Sequence, residues 1–348
     1  MESAEESRKA SAPCARERTG EHYIWSFTIC GTYQATDLLG EGANSCVVRA
    51  FHILTGSEVA IKIESLPAEE GRRPFLEYEV AIYKLLNNPP LGIPSVHWSG
   101  RDGNHAVLIL DRLGPNLGAL QRFCRGSFTL RTICMLAEQL LSSLEFVHSR
   151  GVIVCDLKPQ NIAMGVGKNA NVAYLLDFGH ARLYIDPDTN THVPATNPRH
   201  TVGTPQYASV AAHARTEVSR RDDVESLLYV LLDLYHGTLP WHGQHFPDGE
   251  DWEQRVSEIK AGTVFLEFLA KLPLEFSEYH AHVTGLSFGQ QPDYELLRNL
   301  FRRRMREEGW EPDSEFDWER SDLERGSLIP DEYVIDMKYV SDMVDLDP

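Results

Sequence analysis

Asp156-Leu157-Lys158-Pro159-Gln160-Asn161 puts an acid, a cation and an amide into one short loop. In that order they can serve a substrate hydroxyl, a transferring phosphoryl group and a metal ion. Asp177-Phe178-Gly179 follows the apolar run Val172–Leu176. A carboxylate at the end of a buried strand is costly unless it meets a cation or hydrogen-bond donors, and Mg²⁺ would answer that need. Either segment also reads as ordinary loop decoration. Lys62 closes the apolar run Val59-Ala60-Ile61, so it must snorkel to water or meet an anion, and Glu79 is the candidate partner. Taken alone, it also reads as a surface lysine.

Two further signals frame these. Gly40 and Gly42 lie in Gly40-x-Gly42-x-x-Ser45-x-Val47, where the lack of a Cβ lets backbone approach a polyphosphate closely. A simple hairpin turn fits the same residues. A dinucleotide fingerprint would need a following helix, and a strand is expected here. Arg220-Arg221-Asp222-Asp223 opens an apolar segment. Asp223 there can accept backbone donors and brace the Asp156 loop, or serve as an ordinary N-terminal cap.

The elements that must position these groups are legible in outline. Tyr33–Leu39, Ser45–Ile53 and Glu58–Glu64 are short runs rich in β-branched and aromatic residues, separated by glycine-containing turns, and read as an antiparallel meander. Phe75–Leu86 has helical spacing and ends before Asn88-Pro89-Pro90. His105–Leu110 is another strand, punctuated by Gly114-Pro115. Beyond it, Leu130–His148, Val218–Tyr235 and Pro292–Glu308 read as helices, the last carrying Arg302-Arg303-Arg304 where cations favour the dipole. A β-rich part followed by a longer helical part implies two lobes with a cleft between them.

The chain has 348 residues, 42% of them hydrophobic, enough to bury a sizeable core. Its formal net charge of −18 argues against nucleic-acid and anionic-membrane partners. No run of about 18 apolar residues is present, and Met1–Gly20 lacks the apolar stretch of a secretory signal. Six scattered cysteines with no C-x-x-C pair fit free thiols in a reducing compartment rather than a zinc site. From Glu311 to Pro348 there are 13 acidic and 3 basic residues. Within this tail Val334, Met337, Val340 and Val344 could form one amphipathic face. A solvated tail is the bland reading, and a Tyr333–Val344 segment docked on the body as a restraint is the sharper one.

The five signals in this order resemble the eukaryotic protein kinases. Leu91-Gly92-Ile93-Pro94, Leu113-Gly114-Pro115-Asn116-Leu117, Tyr207-Ala208-Ser209, Leu239-Pro240-Trp241, Pro292-Asp293-Tyr294 and Phe316-Asp317-Trp318 are similar to signatures of the casein kinase 1 group. The resemblance implies an α+β, bilobal protein-kinase fold with a β-rich N-lobe, a mostly helical C-lobe and an ATP cleft. Its expected parts are a flexible arm (1–31), N-lobe and hinge (32–114), C-lobe (115–319) and acidic tail (320–348). It further implies a Ser/Thr protein kinase acting on protein hydroxyls with ATP and Mg²⁺, expected to be a cytoplasmic monomer with the nucleus left open. Leu39, Gly40, Gly42 and Val47 would cover ATP, and Lys62 with Glu79 would hold its α- and β-phosphates. Leu113 would meet adenine through its backbone. Asp156 would accept the hydroxyl proton, Lys158 would neutralise γ-phosphoryl charge, and Asn161 and Asp177 would ligate the metal.

The chain departs from that pattern in three places. Val154-Cys155-Asp156 stands where the family has His-Arg-Asp, so control by an activation-segment phosphate is expected to be missing. Cys155 is either oxidisable or an inert buried thiol. Gln206 stands where the group has arginine, and His245–Asp251 replaces a lysine-rich stretch, which disfavours phospho-primed and acidic substrates. Ser45 replaces the last loop glycine. The alternative to an active enzyme is a pseudokinase or weakly active scaffold, and a small-molecule kinase is a third class. The long Ala181–Thr204 segment argues for protein substrates.

Overall fold

The protein is described by a computed structural model covering residues 18–19, 22–23, 27–42, 45–67, 74–195, 202–243, 252–313 and 315–319. The tail from residue 320, with the Tyr333–Val344 segment, the His245–Asp251 stretch and most of the expected arm lie outside the described residues. The described chain divides into two compact units. The first takes residues up to Lys84 together with Pro94–Leu113, and the second takes Leu85–Ile93 and the residues from Gly114 onward.

The first unit is a sheet with one helix. A two-residue ribbon, β1 (Arg18–Thr19) with β2 (His22–Tyr23), precedes it. The sheet comprises β3 (Thr28–Ile29), β4 (Tyr33–Glu41), β5 (Ser45–His52), β6 (Glu58–Ser65), β7 (Val96–Asp102) and β8 (His105–Asp111), in the order β3-β4-β5-β6-β8-β7. All pairings are antiparallel. Thr28–Ile29, inside the segment expected as an arm, already belongs to the sheet, and Ile29 is buried in its core. Residues two apart line that core: Cys46, Val48 and Ala50 on β5, Val59, Ile61 and Ile63 on β6, and Val107 and Ile109 on β8. Lys62 and Glu64 therefore point to the other face. Strand β7 is an edge strand with Val96, His97 and Trp98 all exposed. It lacks the alternation that would announce it from sequence.

Helix α1 (Phe75–Leu85) is bound to that second face at its start. The buried Glu64 carboxylate accepts from the Phe75 N–H (3.1 Å) and the Leu76 N–H (2.6 Å), two amides that a helix N-terminus otherwise leaves without partners. A negative charge at this end also suits the helix dipole. The cap comes from a strand rather than from the residue before the helix.

The second unit is mostly helical. It contains α2 (Leu117–Phe123), α3 (Leu130–Ser149), α4 (Val210–His213), α5 (Arg220–His236), α6 (Trp252–Ala261), α7 (Thr263–Leu269), α8 (Leu274–Thr284) and α9 (Tyr294–Glu307). Two short ribbons pair β9 (Val152–Ile153) with β12 (Arg182–Leu183) and β10 (Ile162–Met164) with β11 (Ala173–Leu175). This division into a sheet-rich unit and a helical one is the anticipated α+β class. Helix α5 starts two residues later than its apolar pattern suggests, because Ser219 and Asp222 form a capping box. The arginines ending α9 do more than complement the dipole. Arg302 pairs with Glu138 on α3 (2.5 Å), Arg304 with Glu275 on α8 (2.9 Å), and Arg303 with Glu278 on α8. Phe316 and Trp318 are buried and stacked on one another, and the Asp317 carboxylate between them accepts from the Thr129 N–H and hydroxyl at the start of α3.

If Glu64 fastens α1 to the sheet, Glu64→Ala strands two buried amides and should lower the unfolding free energy by about 1–3 kcal/mol. A urea midpoint that does not move in that variant, with an unchanged slope, would remove the role.

Candidate active site

In the first unit, Lys62 stands in the middle of β6 on one rung with Val47 of β5 and Leu108 of β8. Its Nζ donates to Glu79 Oε2 on α1 at 2.7 Å. The Glu79 side chain is only 3% exposed against 18% for Lys62, so the ammonium reaches outward from a buried carboxylate. Lys62 is thus no surface lysine. The β4–β5 register slips between Leu38 and Gly40, which leaves Leu39 at a bulge and pairs Gly40 with Val47. The Gly42 N–H donates to the Ser45 carbonyl at 2.7 Å. Among the described residues, a Cβ at Gly42 would meet Ser45 atoms at 3.6 and 3.7 Å, ordinary contact distances. The Leu113 carbonyl accepts from Arg112 Nη1 at 3.2 Å, while its N–H donates to no protein acceptor among the described residues.

In the second unit Asp156 is a hub. Its Oδ1 accepts from the Thr204 N–H (2.8 Å) and hydroxyl (2.6 Å), and its Oδ2 lies 2.8 Å from Lys158 Nζ and 3.2 Å from Asn161 Nδ2. Asn161 Nδ2 also donates to the Asp156 carbonyl, and Lys158 Nζ to the Thr204 hydroxyl. Burial resists charging this carboxyl, but the Lys158 ammonium and the hydrogen bonds from Lys158 and Thr204 outweigh it and hold Asp156 below the usual carboxylate range. The group is an ionised acceptor at neutral pH.

The loop is held from below by Asp223. Its carboxylate accepts from the Val154 N–H (2.6 Å), the Cys155 N–H (2.8 Å) and His148 Nε2 (2.8 Å). The capping-box role falls to Asp222, so of the two readings of Asp223 the structure supports the loop brace and not the cap. On its other side, His148 Nδ1 shares a hydrogen bond with the Tyr294 hydroxyl. The Cys155 backbone is left-handed, at φ 68°. Its side chain packs with Ile153, Tyr184, Ala208, Ala212 and Val218, and burial pushes the thiol well above its usual range. The inert-thiol reading is the one this environment supports.

Asn161 and Asp177 flank the same end of the β10–β11 ribbon, where the Leu176 N–H donates to the Asn161 carbonyl at 2.8 Å. Asp177 adopts a left-handed backbone, φ 59°, and its carboxylate accepts from the Gly179 N–H. Because the Asn161 amide nitrogen is committed to Asp156, its Oδ1 is the atom turned to any ligand. An amide oxygen and a carboxylate are hard donors of the kind Mg²⁺ takes, with phosphate oxygens and water completing the shell. The donor set fits.

Sequence reading placed Thr204 at the end of the Ala181–Thr204 segment but missed its bond to Asp156. Thr204 lies 48 positions from Asp156, and no local pattern links the two. Gly203 before it carries a trace of the contact: at φ 87°, a Cβ there would fall 2.3 Å from the Cys155 carbonyl.

The ionisation of Asp156 sets a pH signature. A carboxyl with a depressed folded pKa contributes stability above its unfolded value of about 3.9 and loses it as pH falls through the folded value. Urea melts from about pH 3 to about pH 8 should show the wild type losing stability relative to Asp156→Asn only below about pH 4. Divergence near neutral pH would mean that the carboxyl is not depressed.

The family model described as the protein kinase domain matches residues 33–282, a span that includes Lys62, Glu79, Asp156, Lys158, Asn161, Asp177 and Thr204.

Proposed function

This chain belongs to the protein kinase family, and from that premise we propose that it is an active Ser/Thr protein kinase of the casein kinase 1 type, using ATP and Mg²⁺. The observation that carries the proposal is the Asp156 hub, in which an ionised carboxylate is aimed by Lys158, Asn161 and Thr204.

In this reading Asp156 orients a Ser or Thr hydroxyl and accepts its proton as the oxygen attacks the γ-phosphorus. Lys158 neutralises charge on the transferring group from the position it already holds beside Asp156. The phosphoryl moves directly to the substrate, so the protein contributes placement and charge rather than a covalent intermediate. Lys62, steadied by Glu79, holds the α- and β-phosphates, and the N–H of Leu113 serves the adenine ring. Asn161 Oδ1 and Asp177 would hold Mg²⁺, which when bound supplies positive charge against the phosphate oxygens.

Independence from activation-loop phosphorylation is supported at Cys155. A phosphate-binding arginine is expected there in the family, whereas this chain has a thiol within an apolar cluster. The Asp156 loop is already anchored by Asp223 and Thr204 without such a phosphate.

Purified protein incubated with labelled ATP, Mg²⁺ and casein should transfer phosphate, and Asp177→Asn should lower the rate by at least on the order of 100-fold. Equal transfer by both proteins would refute the assignment. No transfer by either, with ATP still bound, would identify a scaffold instead. Because Gln206 replaces the group's arginine, kcat/KM for a phospho-primed peptide should exceed that of its unprimed twin by no more than about threefold. A strong preference for the primed peptide would end that part of the proposal.

A further inference from the structure

Lys260, in the last turn of α6, is a cation with no place in the chemistry described so far. It is 2% exposed and among the largest fully buried side chains of the protein. Its Nζ lies 2.7 Å from the Ala208 carbonyl, 3.0 Å from the Pro205 carbonyl and 3.1 Å from His213 Nε2. The rings of Tyr229 and Trp241 close over it at 4.7 and 4.8 Å. A lysine without a partner is almost never buried so completely, so these contacts account for its position.

The partners all bear on one short segment. Thr204, which grips Asp156, opens a turn in which the Tyr207 and Ala208 amides both donate to the Thr204 carbonyl at 2.9 Å. Three carbonyls of that segment find side-chain donors on Lys260 of α6 and on Trp241, in the connection between α5 and α6. Those of Pro205 and Ala208 take Lys260, and that of Gln206 takes Trp241 Nε1 at 3.0 Å. The Tyr207 hydroxyl donates to Asp233 Oδ2 at 2.7 Å. Among the described residues, Lys260 is the side chain that donates to both the Pro205 and the Ala208 carbonyl.

Protonation does not decide whether this works. Burial drives Lys260 well below its usual pKa, Glu225 opposes that shift by its charge, and burial in turn raises Glu225. A charged ammonium offers three donors, to two carbonyls and an unprotonated Nε2. A neutral amine offers two N–H groups to the same carbonyls and a lone pair to a protonated Nε2. Both states clamp the turn.

We infer that Lys260 is a positioning residue for phosphoryl transfer, fixing the Thr204–Ala208 turn and, through Thr204, the orientation of the Asp156 carboxylate. The inference rests on the function proposed above for Asp156. It also gives the enzyme a substrate-facing turn held by buried groups instead of by a phosphate added after synthesis.

The test uses the full chain with Lys260→Met, which keeps the bulk but removes the donors, and Lys260→Gln, which can donate to one carbonyl. Casein phosphorylation should show kcat reduced at least tenfold in Lys260→Met, with KM for ATP within twofold of wild type, and partial recovery in Lys260→Gln. Amide hydrogen exchange over residues 202–209 should quicken at least tenfold in Lys260→Met while the interior of α5 keeps its protection. If α5 also loses protection in Lys260→Met, the Lys260→Gln protein carries both measurements. Exchange over 202–209 that matches wild type, or a kcat that does, overturns the inference. Should the wild type transfer no phosphate at all, the proposed function fails, and exchange alone still decides whether Lys260 holds the turn.

Discussion

A carboxylate removed from water has to be surrounded by donors, and the protein meets that demand at each point where its candidate chemistry is built. Asp223 gathers two loop amides and an imidazole. Asp156, immediately after those amides, gathers a lysine, an asparagine and a threonine. Glu64 gathers the first amides of α1, and Glu79 within that helix gathers Lys62. Asp223 and Asp156 each reach a segment far away in the chain, His148 and Thr204 respectively, while Asp156 also takes Lys158 and Asn161 from its own loop. The buried acids therefore act as joints between segments.

This arrangement explains why two positions of β6 matter together. Lys62 and Glu64 lie two residues apart and so share a face. One meets α1 at its first turn and the other meets it at Glu79, one turn further along. A helix fixed at two points by one strand has little freedom to rotate away from it. The Lys62–Glu79 pair is consequently set by the same strand that supplies the lysine.

Much of this was legible in the sequence where the signal is local. The meander, the long helices and the Asp156, Asp177 and Lys62 motifs each announce themselves within a dozen residues, through alternation, helical spacing or the cost of burying a charge. Asp223 was legible only as one of two uses, because an acid opening an apolar helix serves equally well as its cap, the role Asp222 takes. What sequence did not reveal depends on long-range pairing. Strand β7 is exposed along its length and has no pattern to detect. Glu64 looks like an ordinary acid at the end of a strand until the helix it caps is in view. Thr204 and Lys260 gain their meaning from Asp156 and from the Pro205 and Ala208 carbonyls, 46 to 55 residues away in the Lys158 and Lys260 contacts. Lys260, near the end of a weakly amphipathic segment, reads as a surface residue.

The Thr204 contact also closes the hub on itself. Lys158 touches both Asp156 and the Thr204 hydroxyl, so acid, cation and turn form one closed triangle. Closing it fixes how far the Asp156 carboxylate stands from the turn that begins at Thr204. Any change that lets this turn drift would thus disturb the aim of the carboxylate and the placement of Lys158 together, because one set of hydrogen bonds governs both.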